Sequence, residues 1–206
     1  MNDFDRDLKR TDEWKEYLNH YYRMYCKGGE FVRLDGNDPI TIQFQKMSID
    51  AIGTSKKTKR LAYMEEKYDF HAPFNFCLEI VSNTVSDPQV PGWMITAKAD
   101  TLIYSFIWLK DILDVYVVDF DHLRRWFWEE VESQNWRAYT VPNSFNHTTS
   151  MLVPIKQVAA AKIYIRRHLI TSEGNVIPAN PLSNPQEVLR LHGLPFTRLS
   201  KDENAA

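Results

Sequence analysis

Hydrophobic and polar positions alternate along this chain in two distinct rhythms. Over residues 11–26, TDEWKEYLNHYYRMYC, apolar side chains fall at Trp14, Leu18, Tyr21 and Tyr25. Steps of four, three and four mark one face of a helix, with Thr11 or Asp12 as cap and Gly28-Gly29 as stop. From 40 to 53 the period changes to two, placing Ile40, Ile42, Phe44, Lys46, Ser48, Asp50 and Ile52 on one face of a long strand. A polar basic loop, TSKKTKR, separates it from a second strand, LAYMEEKYDF, at 61–70. In that strand Leu61, Tyr63, Glu65, Lys67 and Asp69 share a face, and Ala62, Met64, Glu66, Tyr68 and Phe70 share the other. Two strands around a short polar loop predict a hairpin.

FCLEIVS at 76–82 reads as a third strand, and VYVVDF at 115–120 as another. Between them, Leu102, Ile103, Phe106 and Ile107 suggest a helix beginning near Thr96. Asp121 is placed to cap a helix over HLRRWFWEEVESQ, residues 138–153 are β-like or irregular, and Pro154 opens a helix over 154–169. The expected fold class is α+β or mixed α/β. One domain is expected over residues 1–170, its C-terminal part a helical extension, followed by an irregular extension over 171–206 with a disordered end.

With 44% hydrophobic and 13% aromatic residues, the 206-residue chain can build a substantial core. The net charge of −2 argues against a nonspecific nucleic-acid coat, so any nucleic-acid contact must be a local patch. Two cysteines, Cys26 and Cys77, imply a reducing compartment and lack zinc-ligand spacing. The charged start, MNDFDRDLKR, has no apolar signal segment, and Leu102 to Leu109 is too short to span a bilayer. A cytoplasmic location is the expectation.

The chemistry concentrates in the hairpin. Asp50 and Glu65 lie symmetrically about the loop, so an unslipped hairpin sets them opposite each other with Cβ atoms about 5 Å apart. Facing carboxylates destabilise a sheet unless a cation lies between them, and hard oxygen ligands suit Mg²⁺ or Mn²⁺. Lys67 follows Glu65 by two residues, hence on the same face, where an ammonium can orient water and stabilise charge on a phosphorane. Lys56, Lys57, Lys59 and Arg60 at the hairpin tip are the candidate phosphate contacts.

Asp50 followed by Glu65-Glu66-Lys67 on the next strand resembles the Asp…(Asp/Glu)-x-Lys signature of the PD-(D/E)XK nuclease superfamily, with Ile49 where the name has proline. The resemblance covers roughly the first 60% of the chain. It implies a restriction-endonuclease-like core: a helix, a three-stranded antiparallel meander, a helix and a further strand. It also implies Asp50 and Glu65 as metal ligands, the Glu66 carbonyl as a further ligand, and Lys67 as the catalytic lysine. Glu13 or Glu16 on the first helix, and Asp100 and Tyr104 on the second, are the accessory positions. Glu79, inside FCLEIVS, is a candidate third carboxylate or a partner for Lys67.

The function so implied is metal-dependent hydrolysis of DNA, with RNA as the other substrate class and a homodimer as the arrangement suited to cutting two strands. The alternative is an inactive member of the same fold that binds nucleic acid or protein. The plainest alternative is a solvated, charged hairpin face with no chemistry. No Gly-rich phosphate loop, nucleophile elbow or histidine metal spacing is present.

Overall fold

A computed structural model describes residues 3–25, 30–54, 59–70, 74–142 and 147–198. Helix α1 (Asp3–Tyr25) is followed by strand β1 (Phe31–Arg33), helix α2 (Pro39–Lys46), and strands β2 (Ala51–Thr54), β3 (Leu61–Asp69), β4 (Asn75–Asn83) and β5 (Val90–Pro91). Then come α3 (Trp93–Thr96), β6 (Thr101–Leu109), β7 (Ile112–Asp119), α4 (Phe120–Glu130), β8 (Arg137–Pro142) and β9 (His147–Pro154). The chain closes with α5 (Ile155–Ala160), β10 (Ile165–Thr171), β11 (Val176–Ala179) and α6 (Pro185–Leu191).

The strands form a seven-stranded mixed sheet, in the order β1-β2-β3-β6-β7-β10-β11, and a four-stranded antiparallel sheet, β5-β4-β9-β8. In the large sheet only β3 and β6 run parallel. This is the mixed α+β class, with six helices among the described residues. Among those residues no helix is long and apolar enough to cross a membrane.

Parity along β3 decides what lies on each side. Met64, on one face, packs with Leu18, Tyr21 and Tyr22 of α1 and with Ile103, Val115 and Val117. The other face holds the main core. There Leu102, Tyr104, Phe106 and Tyr116 meet Phe76, Leu78 and Val153 of the small sheet, with Trp93, Phe120 and Phe127 from the helices. Glu65 and Lys67 belong to this second face.

Several expected elements differ. Ile40 to Lys46 is not strand but α2, because Asp38 caps it, accepting from the main-chain N–H groups of Ile40 and Thr41 at 3.0 Å, and Pro39 stands in its first turn. Ile40 is consequently 70% exposed and shares no face with Asp50. The helix expected from Thr96 is strand β6, with only the single turn α3 before it. β6 is buried from Leu102 to Leu109 because both its faces are covered, which fills every position with apolar residues and hides the period of two. The third strand of the expected meander, β4, leaves for the small sheet, and β3 takes β6 as its neighbour instead.

Asp119, not Asp121, caps α4, accepting from the His122 N–H at 3.0 Å. The helix expected over 154–169 stops at Ala160, and Ile165–Thr171 is a strand of the large sheet. The region after 170 is not irregular: it supplies β11 and α6. The expectation of a disordered end concerns 199–206, outside the described residues.

Candidate active site

The register of β2 on β3 pairs Ala51 with Met64, so Asp50, one residue earlier, stands opposite Glu65. Asp50 enters this position from the end of α2. The chain turns there through Ser48, which takes a positive φ of 52°, and the Asp50 N–H donates to the Met64 carbonyl at 2.8 Å. In return the Glu66 N–H donates to Asp50 Oδ2 at 2.8 Å. Asp50 is thus fixed by main-chain bonds from the strand that carries Glu65 and Lys67.

Glu65 is only 1% exposed. Its Oε1 forms an ion pair with Lys67 Nζ. Its Oε2 is buried and accepts no hydrogen bond; with the Asp50 carboxylate within reach, this costs free energy unless a proton or a cation lies between the two acids. Burial pushes the Glu65 carboxyl up to about 8; Lys67 opposes this, and the Asp50 carboxylate within hydrogen-bonding reach reinforces it.

The Lys67 side chain is 30% exposed. Burial works against its charged form, but Glu65 and Asp50, with Glu79 further off, outweigh that and hold its pKa above the ordinary lysine value. Lys67 is therefore the permanent cation of the group. Trp93 backs it, with Nζ 5.2 Å from the ring centroid.

Glu79 joins this cluster from the small sheet. Burial raises its pKa, while Lys67 and a bond from the Trp93 main chain lower it. Gly92 makes the approach possible: a Cβ there would come 2.5 Å from the Glu79 carbonyl oxygen and 2.8 Å from its Cγ. Gly92→Ala is expected to cost about 1–3 kcal/mol by overpacking, seen as a lowered urea midpoint; an unchanged midpoint would mean that this contact yields freely.

Other candidate residues lie elsewhere. The Glu66 side chain points to the α1 face, where it accepts from Tyr22 Oη at 2.6 Å, Arg33 Nη1 at 2.6 Å and Tyr68 Oη at 3.1 Å. Only its main chain is on the Asp50 side, which fits the carbonyl but not the carboxylate. Glu16 is exposed on α1 and accepts from Asn19, across the sheet from Glu65. The Glu13 side chain lies outside the described residues.

Tyr104 is on a strand, not a helix. Its buried hydroxyl donates to Asp69 at 2.9 Å and accepts from the Cys77 N–H at 2.9 Å, tying β3 to β4. Asp100, just before β6, accepts from Tyr63 N–H and Thr101 Oγ1. Lys59 and Arg60 are exposed beside the hairpin loop, whereas Lys56 and Lys57 fall outside the described residues. The Cys77 thiol is pushed up by burial, which disfavours its thiolate.

Sequence reasoning missed Trp93 and the part played by Gly92. The Pro91-Gly92-Trp93 turn is visible in the sequence, but nothing local says that it folds back onto Lys67.

No protein-family model matches this chain, and neither does any curated protein or solved structure.

Proposed function

We propose that the protein is a Mg²⁺- or Mn²⁺-dependent nuclease that hydrolyses DNA at Asp50, Glu65 and Lys67. The observation that carries the reading is Glu65: a buried carboxylate with one oxygen unpartnered, faced by a second carboxylate and held by a lysine on its own strand. That donor set fits a hard divalent cation, which satisfies the orphan oxygen and removes the repulsion between the two acids. Asp50 and Glu65 would hold the ion, with the Glu66 carbonyl as third protein ligand. Bound there, such an ion supplies the Lewis acidity that makes water nucleophilic at neutral pH and neutralises phosphate charge.

The chain's own groups do the rest. Asp50 is oriented by the Glu66 N–H, and Lys67, charged and partly exposed, offers its remaining N–H donors to a phosphate oxygen where negative charge grows. The finer fold reading, a restriction-endonuclease-like core, is supported by α1 followed by the β2–β3 hairpin bearing Asp and Glu-x-Lys. The departure of β4 and the strand β6 in place of a helix count against it.

A second reading has an observation in its favour. Among the described residues no group of three His, Cys, Asp or Glu side chains is disposed to hold a metal, and Lys67 already occupies one oxygen of Glu65. A non-cleaving module that binds nucleic acid or protein accommodates both facts.

The two are separated by incubating the protein with supercoiled plasmid, linear duplex or RNA, with Mg²⁺, Mn²⁺ or EDTA. Cleavage of DNA with either ion is expected, falling at least about a hundredfold in Lys67→Ala and Asp50→Asn. Wild-type protein that cuts nothing under any of these conditions overturns the nuclease reading.

A further inference from the structure

Lys67 pairs in register with Tyr104 on β6. Four residues farther along β6, on the same face and about 13 Å away along the strand, stands Trp108. It lies at the back of a cleft of about 680 Å³, a volume that suits a small organic ligand. Trp108 and Tyr116 line the interior, and Phe74, 67% exposed, stands among the lining residues nearest solvent.

Three cations contribute: Lys156 and Arg198, both exposed, and the buried Arg167. Among the described residues none that lines the cleft is acidic, in a chain whose acidic residues outnumber its basic ones. Arg167 is matched from behind by Asp114. Arg198 instead lays its guanidinium over aromatic rings, 5.4 Å from the centre of Trp108 and 5.7 Å from that of Phe196.

Aromatic faces beside exposed cations select a ligand that is flat at one end and anionic at the other. Acidic peptides offer the charge without the ring, and apolar ligands the reverse. We propose that this cleft binds a nucleoside phosphate, its base stacked on Phe74 and its phosphate held between Lys156 and Arg198. The ligand is either a free mononucleotide or one unit of a single strand. The proposal uses neither Asp50 nor Lys67 and needs no metal.

The test is calorimetric titration in EDTA with dAMP, a 5′-phosphorylated single-stranded oligonucleotide and inorganic phosphate. Saturable dAMP binding is expected, with inorganic phosphate much weaker. Phe74→Ala, Lys156→Ala and Arg198→Ala should each weaken dAMP about tenfold. All three side chains are exposed, and unchanged thermal midpoints verify folding. An oligonucleotide that binds more tightly and is displaced by dAMP identifies a strand as the source; binding of dAMP alone identifies a free nucleotide. Asp50→Ala should bind like wild type, so failure of the nuclease reading and failure of this one are distinguishable. Absent dAMP binding, dAMP no tighter than inorganic phosphate, or wild-type affinity in all three variants would overturn the proposal.

Discussion

Asp114→Ala is expected to lower the stability of the fold by about 3–5 kcal/mol, the cost of leaving a buried charge without its partner. Asp114 is 0% exposed on β7 and Arg167 2% exposed on β10, the strand beside it. Two parallel bonds of 2.7 Å join them, Nε to Oδ1 and Nη2 to Oδ2. Trp108 Nε1 donates to the same carboxylate at 3.3 Å, and Arg167 Nη1 donates to the Ser183 carbonyl at 2.7 Å. The guanidinium also lies over the Tyr116 ring at 5.2 Å. Removing the carboxylate leaves the guanidinium, 2% exposed, without its counter-charge. The pair itself is a different quantity, since two charges withdrawn from water recover little net free energy. Asp114→Leu combined with Arg167→Met should therefore cost less than Asp114→Ala alone. Urea midpoints of the three proteins check this. A single variant within about 1 kcal/mol of wild type would mean that the site relaxes enough to admit water.

The same arginine shows why part of the fold was hidden in the sequence. KIYIRRHL falls in the helix expected from Pro154, and a strand there meets an objection, since it puts Arg167 on an inward face between Ile165 and Leu169. That objection fails only because Asp114, 53 positions away, is there to meet it. Pairing across strands is not a local property. β6 was hidden differently: with both faces covered, TLIYSFIWL carries no alternation, although its β-branched and aromatic content favours a strand. For α2 the local signal existed in Asp38-Pro39, a cap and a first-turn proline, and the alternation of Ile40, Ile42 and Phe44 masked it. The hairpin was legible because its information is local. Polar loop symmetry sets the register of Asp50 on Glu65, and parity puts Lys67 beside them. What parity could not say is which face receives α1, and so Glu16 and the Glu66 carboxylate lie across the sheet from the cluster.

Glu65 yields the other large effect, a pH dependence of stability. Its carboxyl is at about 8 in the folded protein, against an ordinary carboxylate value of 4.5 in the unfolded chain. A pKa raised by folding means that the native state keeps a proton which the unfolded state gives up. The associated stability is complete below about 4.5, declines as pH rises, and is gone once pH passes about 8. The metal-free protein should therefore lose about 4 kcal/mol from this group between those limits. Glu65→Gln removes the titration while keeping the shape, so the wild-type-minus-variant difference should slope downward across pH 5 to 8. That subtraction cancels the histidines and other groups common to both proteins. If the difference is flat, Glu65 is ionised throughout and its orphan oxygen is satisfied by water. Mg²⁺ or Mn²⁺ at pH 8 supplies the independent arm. An ion held by Asp50 and Glu65 stabilises the ionised form, raising the wild-type midpoint with concentration and leaving Glu65→Gln nearly unmoved. A downward slope without a metal response would keep the buried acid and remove the metal site, the result that fits a non-cleaving module.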